Sequence, residues 1–484
     1  MAEASAADAD RRAKLERLRG ERVDPFPHDF DGVVPISDAH AAHAELAAGE
    51  ETEARYRVAG RLAARRGHGK AAFLDLVDRS GRIQLHARLD VLGEEGFERL
   101  TSLDLGDIVG VDGVAFRSRR GELSLRVEDW TLLAKALRSP PEKFHGLEDT
   151  ETRYRRRELD LIANEDAREL FALRSRVVSA IRRYLDAHGF LEVETPVLQP
   201  LYGGAVARPF VTHHNQLGRD LYLRIATELY LKRLVVGGLE RVYELGKDFR
   251  NEGVSPKHNP EFTMLEWYEA YADYEDAAAR LEELVAHVAR EVRYEGEVDF
   301  SPPWRRTTLR AAIEERTGVD VLAARDSRSL VAAASERGIE LDPSETWPRL
   351  VDDLLSKHIE PRLKQPTFVF DYPEELSPFA KAHRSARPEE RLVERFECFA
   401  GGIEIANAFS ELNDPDDQRA RFEAQRRELA AGDEEAHPYD EDFVRALEHG
   451  MPPTGGLGLV IDRLVMLLSG RRSIREVMLF PAMR

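Results

Sequence analysis

Five short runs near the start of the chain carry alternating or β-branched apolar residues: 56–66, 71–78, 81–89, 107–117 and 121–134. Each is bounded by Gly, Asp or Arg, which predicts strands. Arg79–Ser80–Gly81 predicts a hairpin connection, and residues 91–104 predict a helix between the third and fourth strands. Ahead of them, residues 8–22 predict a short, highly charged helix. Five strands with one helix in that gap is the pattern of an OB-fold β-barrel. Such barrels often bind single-stranded nucleic acid, although a fold alone does not establish a function. The proline-containing stretch 137–149 predicts a linker.

From residue 152 the pattern changes. Helical periodicity appears over 165–188. Residues 221–226, 242–252, 261–271, 366–373, 396–409 and 477–481 predict strands, with helices at 227–236, 275–293 and 457–469 between them. Residues 300–365 are helix-rich, and the acidic stretch 413–442 predicts a solvated helix and loop. Antiparallel strands flanked by helices predict an α+β domain. The expected organisation is a charged helical segment at 1–54, a barrel at 55–134, a linker at 135–152 and a larger domain at 153–484. A length of 484 residues also asks for more than one core.

Composition narrows the class. The apolar fraction of 42% and charged fraction of 33% suit a soluble globular chain. No apolar run is long enough to span a bilayer. The start, MAEASAADADRR, is acidic where a secretory signal would be basic and then apolar. The single cysteine, Cys398, excludes an internal disulfide and predicts a reducing, cytoplasmic setting. A net charge of −19 argues against nucleic-acid binding by the whole surface. Two local basic clusters keep a polyanion partner open: Arg11, Arg12, Lys14, Arg17, Arg19 and Arg22, and then Arg61, Arg65, Arg66 and Lys70. Each alone reads by default as solvated surface charge.

No GxxxxGK[ST] loop, complete dinucleotide fingerprint or HExxH occurs, so an ATP site would have to be built from side chains on a sheet. Gly456–Leu457–Gly458 reads as a helix-packing turn. The segment FRNEGVSPKHNPEFTMLEWYEAY offers a site as strand, loop and strand. Alternation sets Phe262, Met264, Glu266 and Tyr268 on one face and Thr263, Leu265 and Trp267 on the other. Arg250 and Glu252 share a face of the incoming strand, and the loop adds His258. Such an arginine bridges carboxylate and phosphate oxygens, and Phe262 can stack on a purine. The competing reading is a half-buried hairpin with surface salt bridges. Further on, Glu397 and Glu404 flank Gly401–Gly402, read as a bulge or bend. Two carboxylates so placed suit Mg²⁺. Asn407, Phe409 and Glu411 alternate on one face, and only the bulge sets Glu404 with them. Asp462–Arg463, inside an apolar segment, reads either as a structural pair or as an arginine aimed at phosphate.

GFLEVETPVL (189–198), FRNEGVSPKHNPEFTMLE (249–266) and GLGLVIDRLV (456–465) resemble the three motifs of class II aminoacyl-tRNA synthetases. Within that class the chain resembles the bacterial lysyl-tRNA synthetases, through GGAVARPFVTHHN, LYLKRLVVGGLERVYE, SELNDPDDQRARF and LFPAMR. The resemblance runs from residue 55 to the end. It implies that lysine and ATP give lysyl-adenylate, which then acylates tRNA(Lys). It assigns Arg250 to the lysine carboxylate and α-phosphate, Glu252 and Phe262 to adenine, His258 to the triphosphate and Arg463 to the γ-phosphate. Glu397 and Glu404 would bind Mg²⁺. Gly204 and Glu228 would receive the α-amino group and Asn407 the carboxylate. Glu266, Tyr268 and Glu411 would surround the ε-ammonium, with Phe409 in the lysine pocket. Phe73, Gln84 and Glu122 would read the anticodon. It also implies a homodimer with 189–198 at its seam, and no membrane partner. Thr227 departs from the usual proline, and as a helix cap should still leave Glu228 at a helix start. Val460 replaces a common glycine. An elongation-factor-modifying lysyl-transferase lacks the barrel. Aspartyl- and asparaginyl-type synthetases mismatch the acids of the pocket, and a catalytically silent relative would have lost some of Arg250, Glu397, Glu404 and Arg463.

Overall fold

The structure, a computed structural model, describes residues 6–141, 147–430 and 437–483. The chain divides into two compact units, Met1–Arg168 and Glu169–Arg484. Part of the expected linker (142–146) and part of the acidic stretch (431–436) lie outside the described residues.

In the first unit β1 (Glu51–His68), β2 (Ala71–Val77), β3 (Arg82–Arg88), β4 (Ile108–Arg117) and β5 (Leu123–Ala134) close a barrel in the order β1-β2-β3-β5-β4. All pairs are antiparallel except β3 with β5. β1 is far longer than the run 56–66 because it serves both neighbours, and a register shift at Leu62/Ala64 bends it between them. Gly60 is required there, since a Cβ would stand 2.5 Å from the Val77 carbonyl oxygen. Leu74, Leu85, Val109, Val111 and Leu125 fill the interior. The expected helix spans Leu89–Ser102 and turns Phe97 and Leu100 inward.

The first basic cluster lies on the helix Ala6–Gly20, and much of it is structural. Arg11 is buried and donates to the carbonyls of Leu105 and Ala136 at 2.9 and 3.1 Å. Lys14 donates to Asp104 at 2.7 Å. In the second cluster Arg61 and Arg65 donate to the carbonyls of Gly106 and Leu103. The three arginines cap backbone oxygens and Lys14 pairs with a carboxylate, so the basic face is smaller than the sequence suggests.

The second unit is built on an eight-stranded sheet. Its strands are β6 (Leu191–Glu192), β10 (Arg241–Phe249), β11 (Glu261–Ala270), β12 (Arg305–Thr308), β13 (Thr367–Pro373), β14 (Leu392–Ala400), β15 (Ile403–Ser410) and β16 (Thr454–Val460), in the order β12-β13-β14-β15-β16-β11-β10-β6. A small sheet of β7 (Leu198–Gln199), β8 (Val211–His214) and β9 (Arg219–Leu223) lies beside it in sequence. The helices Glu165–Ala187 and Tyr274–Glu291 cover one face. Val177, Ile181, Tyr184 and Leu185 form a stripe at helical spacing in the same core as Trp267, Leu265, Phe396 and Leu459. The second helix begins with an Asp273–Asp276 capping box.

Three expectations change. Residues 396–409 are not one strand: Gly401 and Gly402, at φ +64 and +83, turn β14 into β15. Residues 457–460 are the end of β16, and the helix starts at Ile461; within the strand a Cβ at Gly455 would stand 2.7 Å from the Asp273 carbonyl oxygen, and one at Gly456 would collide with Glu411 and Tyr268. Residues 477–481 form no strand. They are tied by isolated bonds, such as Arg174 donating to the Val477 carbonyl at 3.1 Å. Helix-rich 300–365 packs its own core, around Leu350, Val351 and Leu354, in one cluster with Val369. The helix Pro415–Ala430 is not wholly solvated, since Gln418 and Phe422 are buried.

Asp462 and Arg463 do not pair with each other. Asp462 accepts from Arg174 and from the Thr263 amide, both at 2.6 Å. Breaking such a pair strands a cation that is only partly open to water. Asp462→Ala should therefore lower the unfolding free energy by about 3 kcal/mol, read as a shift in denaturant midpoint at unchanged m-value. A loss below about 1 kcal/mol would mean the contact is no better than a surface pair.

Candidate functional site

The exposed-side face of the large sheet holds a cavity of about 330 Å³. The alternation of β11 decides its wall. Leu265 and Trp267 enter the apolar core, while Phe262, Met264, Glu266 and Tyr268 line the cavity. Arg250 stands just past the end of β10, with its guanidinium 5.1 Å from the centre of the Phe262 ring. Glu252 is on the following loop, not on the strand, and still lines the cavity. His258, on the same loop, bonds the Ser255 hydroxyl at 2.8 Å. Partial desolvation, then Arg463 and Lys257, push its imidazole down to about 4.

The hairpin of β14 and β15 supplies a second wall. Glu397 pairs in register with Asn407, whereas Phe399 pairs with Glu404 and leaves Ile405 over. The sequence expected a bulge at the glycines; it lies at Ile405, and it brings Glu404 to the cavity with Glu397, Asn407 and Phe409. Arg463 donates to the Glu404 carboxylate at 2.9 Å and to its carbonyl at 2.7 Å. Burial would raise Glu404, but Arg463 outweighs it and holds the carboxyl below its ordinary value. Burial pushes Glu397 up to about 7 against the pull of Arg395, with Glu404 adding to the rise.

Sequence reasoning missed Arg395, two residues before Glu397. It donates to Asn407 Oδ1 at 3.0 Å, to Glu397 at 2.6 Å and to the Leu376 carbonyl at 2.6 Å, and so orients two predicted residues at once. It also missed His437, buried edge-on against Phe379 at 4.8 Å.

The floor is acidic. Gly204, at φ +86, lets the backbone approach Glu228, whose Cβ would lie 2.9 Å from a Cβ at that position. Glu228 opens the helix Glu228–Val236, yet Thr227 makes no side-chain cap; its amide instead donates to Glu266 at 3.2 Å. Glu411 is not among the lining residues. It lies behind Gly456, where a Cβ would collide with its carboxylate and with the Tyr268 ring. Its partner is Lys232, which also donates to Glu228 at 2.5 Å. The signal for Lys232 was its i,i+4 spacing from Glu228. Burial, reinforced by Asp248 and Glu228, pushes Glu266 up to about 8. Burial also pushes Glu411 to about 8 against Lys232.

In the barrel, Phe73 is half-buried on the outer face while Leu74 fills the core. Its ring stacks on His86 at 4.6 Å and 6°, and His86 meets Phe116 at 5.7 Å. Gln84 accepts from Ser124 at 3.1 Å. Arg82 donates to Glu122 at 2.7 Å and to Asp75 at 3.1 Å. An aromatic row edged by polar and basic groups suits unstacked bases.

Residues 149–484 match the family of tRNA synthetases class II (D, K and N), and residues 56–133 the OB-fold nucleic acid binding domain. The chain is 52% identical over 483 residues to the lysine–tRNA ligase of Moorella thermoacetica, covering 98% of this chain and 97% of the relative. It is 52% identical over 485 residues to that of Chloroflexus aurantiacus, covering 98% of each. The lysine–tRNA ligase of Bacillus subtilis is 50% identical over 484 residues, with 98% and 96% covered.

The raised Glu266 gives a pH test. A carboxyl at about 8 instead of its ordinary 4.5 binds its proton more tightly in the folded chain. Its stabilising contribution is complete below the unfolded value and is lost as pH rises through the folded one. Glu266→Gln removes that loss while keeping an acceptor for Thr227. Between about pH 5 and pH 9 the unfolding free energy of the variant should gain on wild type by on the order of 3 kcal/mol. Parallel pH profiles would mean that Glu266 is ionised throughout.

Proposed function

The chain belongs to the class II tRNA synthetases, in their lysine–tRNA ligase branch, and from that premise we propose how its residues divide the work of an ATP-dependent ligase. The observation that carries the assignment is the layout of the cavity, with Arg250, Arg395, Arg463, Glu397 and Glu404 on its walls and the buried Glu228 and Glu266 at its floor.

Arg250 bridges the lysine carboxylate and the α-phosphate with its two-pronged guanidinium. Phe262 stacks on the adenine, Glu252 accepts from its amino group, and neutral His258 donates to the triphosphate. Arg463 meets the γ-phosphate. A lysine carboxylate oxygen attacks the α-phosphorus, the bond to the bridging oxygen breaks, and pyrophosphate leaves. The terminal ribose hydroxyl of tRNA(Lys) then attacks the acyl carbonyl, and AMP leaves. Neither step needs a protein nucleophile; positioning and charge neutralisation do the work. Arg395 holds Asn407 so that its amide NH₂ is free for the lysine carboxylate. Gly204 and Glu228 take the α-amino group. Glu266, Tyr268 and Glu411 set the field around the ε-ammonium, beside Phe409.

Glu397 and Glu404 fit Mg²⁺, which takes one or two carboxylates and completes its octahedron with phosphate and water. Burial raises Glu397 and repulsion from Glu404 adds to the rise, and a dication held between them would relieve both. When bound, the ion would neutralise charge developing on the phosphates.

In the barrel, Phe73 stacks on an anticodon base, and Gln84 and Glu122 bond base edges. A homodimer is supported by the apolar surface beside the edge strand β6, where Leu191, Leu239 and Tyr271 are 51%, 38% and 71% exposed around one hollow. No helix among the described residues is long and apolar enough to cross a membrane. The cytoplasm, where ATP and tRNA meet, is the proposed compartment.

Three measurements test this reading. ATP–pyrophosphate exchange should depend on lysine, and not on aspartate or asparagine; exchange with either of these would overturn it. Phe73→Ala should leave exchange unchanged but lower kcat/KM for tRNA charging by about ten- to a hundredfold, the worth of one stacked base. Equal loss in both assays would make Phe73 a residue of the fold. Light scattering should give twice the chain mass of 54.8 kDa, and a monomer at micromolar concentration would remove the proposed interface.

A further inference from the structure

Lys232 is fully buried, and the resemblance gives it no role. Its ammonium reaches Glu228 Oε1 at 2.5 Å and forms an ion pair with Glu411, with the Phe379 ring 5.2 Å below it. These are the carboxylates expected to meet the two ammonium groups of the substrate. The third, Glu266, is bonded among the described residues by the Thr227 amide and the Tyr268 hydroxyl. Of the other charges near the floor, Arg224 is shared by Glu244 and Asp248, and the surplus negative there feels the Arg250 guanidinium. That guanidinium faces the phosphate end over Phe262.

Charge arithmetic follows. Glu228, Glu266 and Glu411 carry three negative charges when ionised, and Lys232 carries one positive charge. Burial favours a proton on Glu266 and on Glu411 until cations face them, and with all three ionised the floor is left with two uncompensated negatives. Free lysine brings two ammonium groups, while its carboxylate is directed to Arg250 and Asn407. Desolvated charge is tolerated only when matched, so the balance between floor and ligand bears on which amino acid can be buried there.

We propose that Lys232 is a specificity-determining residue: it neutralises one of three buried carboxylates and so sets the floor to a charge matched by an amino acid with two ammonium groups. This rests on the reading that the cavity takes lysine. Lys232 acts through the carboxylates and touches no reacting atom. The charge on Glu411 enters the balance through its pair with Lys232. Burial alone would lower the Lys232 ammonium, but Glu228 and Glu411 outweigh it and keep it charged.

The test is a double-mutant cycle of Lys232→Met and Glu411→Gln in the full chain. KM for lysine and for ATP is read in pyrophosphate exchange, with thermal midpoint as a folding control. Norleucine, which lacks the ε-ammonium, serves as competitor. Glu411→Gln should raise the lysine KM by at least about tenfold, because one charge of the match is gone. It should lower the preference for lysine over norleucine by a similar factor. Lys232→Met should raise the lysine KM comparably by leaving Glu411 unpaired. Neither should move the KM for ATP beyond about twofold, a split that general damage to the fold would not produce. The double variant removes one charge of each sign and restores the floor to two negatives. Its lysine KM and its preference over norleucine should return to within about threefold of wild type. Lys232→Arg, which keeps the charge, should bind lysine better than Lys232→Met.

A folded double variant that binds lysine no better than the worse single variant would overturn the charge-matching role. Equal losses for ATP and lysine in Lys232→Met would overturn it too, in favour of a structural pair. Wild-type exchange that does not require lysine would instead overturn the substrate assignment itself, so the two failures are distinguishable.

Discussion

A carboxylate taken out of water has to find a cation, a proton or a set of hydrogen bonds, and the large sheet buries many of them. Asp462 is met by Arg174, Glu244 and Asp248 by Arg224, Glu404 by Arg463, Glu397 by Arg395, and Glu228 and Glu411 by Lys232. In most of these pairs the partners come from different elements, so each contact fixes one element against another. Removing one member is far more costly than the net worth of the pair. The apolar face, packed by Trp267, Leu265 and Phe396, supplies the bulk of the stability. The polar face gains geometry: side chains held in place before any ligand arrives. Where compensation is incomplete, at Glu266 and Glu397, the surplus faces the cavity, and a cation completes the match.

How far the sequence carried this picture depended on the range of the interactions. The face assignment of Phe262, Glu266 and Tyr268 against Leu265 and Trp267 was legible because period-two alternation is local and one face is wholly apolar. The barrel was legible for the same reason. The hairpin at Gly401–Gly402 was not, because two glycines mark a turn or a bulge equally well until register is known. The displacement of Glu404 was anticipated, but its cause sits at Ile405, which looks like any core residue. Gly456 and Gly458 read as a packing turn because the role of Gly456, leaving room for Glu411 and Tyr268, depends on residues far away in sequence. The partners of Asp462 and of Glu411 were likewise invisible, since a buried pair is defined by three-dimensional proximity.

Charge counting failed in a more instructive way at the N-terminus. A run such as Arg11, Arg12, Lys14, Arg17 and Arg19 advertises a surface for polyanions. Arg11 and Lys14 are in fact consumed by the Leu105 and Ala136 carbonyls and by Asp104, and Arg65 by the Leu103 carbonyl. A loop that folds over a barrel leaves carbonyls without a ladder, and arginine, with five donors, can serve several at once. Nucleic-acid contact is better sought in the row Phe73, His86 and Phe116, where stacking does not depend on sign of charge. An acidic chain with a net charge of −19 can then hold an acidic polymer through one small face.

The family that matches residues 149–484 is described for D, K and N together, so one sheet serves an anionic, a cationic and a neutral side chain. In the proposed division of work Arg250, Phe262 and Arg463 would face ATP and would treat all three alike. Discrimination must therefore come from the floor, and it takes two different forms. An aspartate side chain would set a like charge near Glu228, Glu266 and Glu411. At about 4 Å and an effective dielectric near 20, one such contact costs roughly 4 kcal/mol, about three orders of magnitude in affinity. Asparagine meets no repulsion, but it leaves the floor charge unmatched, and an unmatched buried charge is itself expensive. On the proposed reading of the floor, repulsion rejects the first and lack of a partner rejects the second, so the same three acids would exclude both without any group dedicated to either.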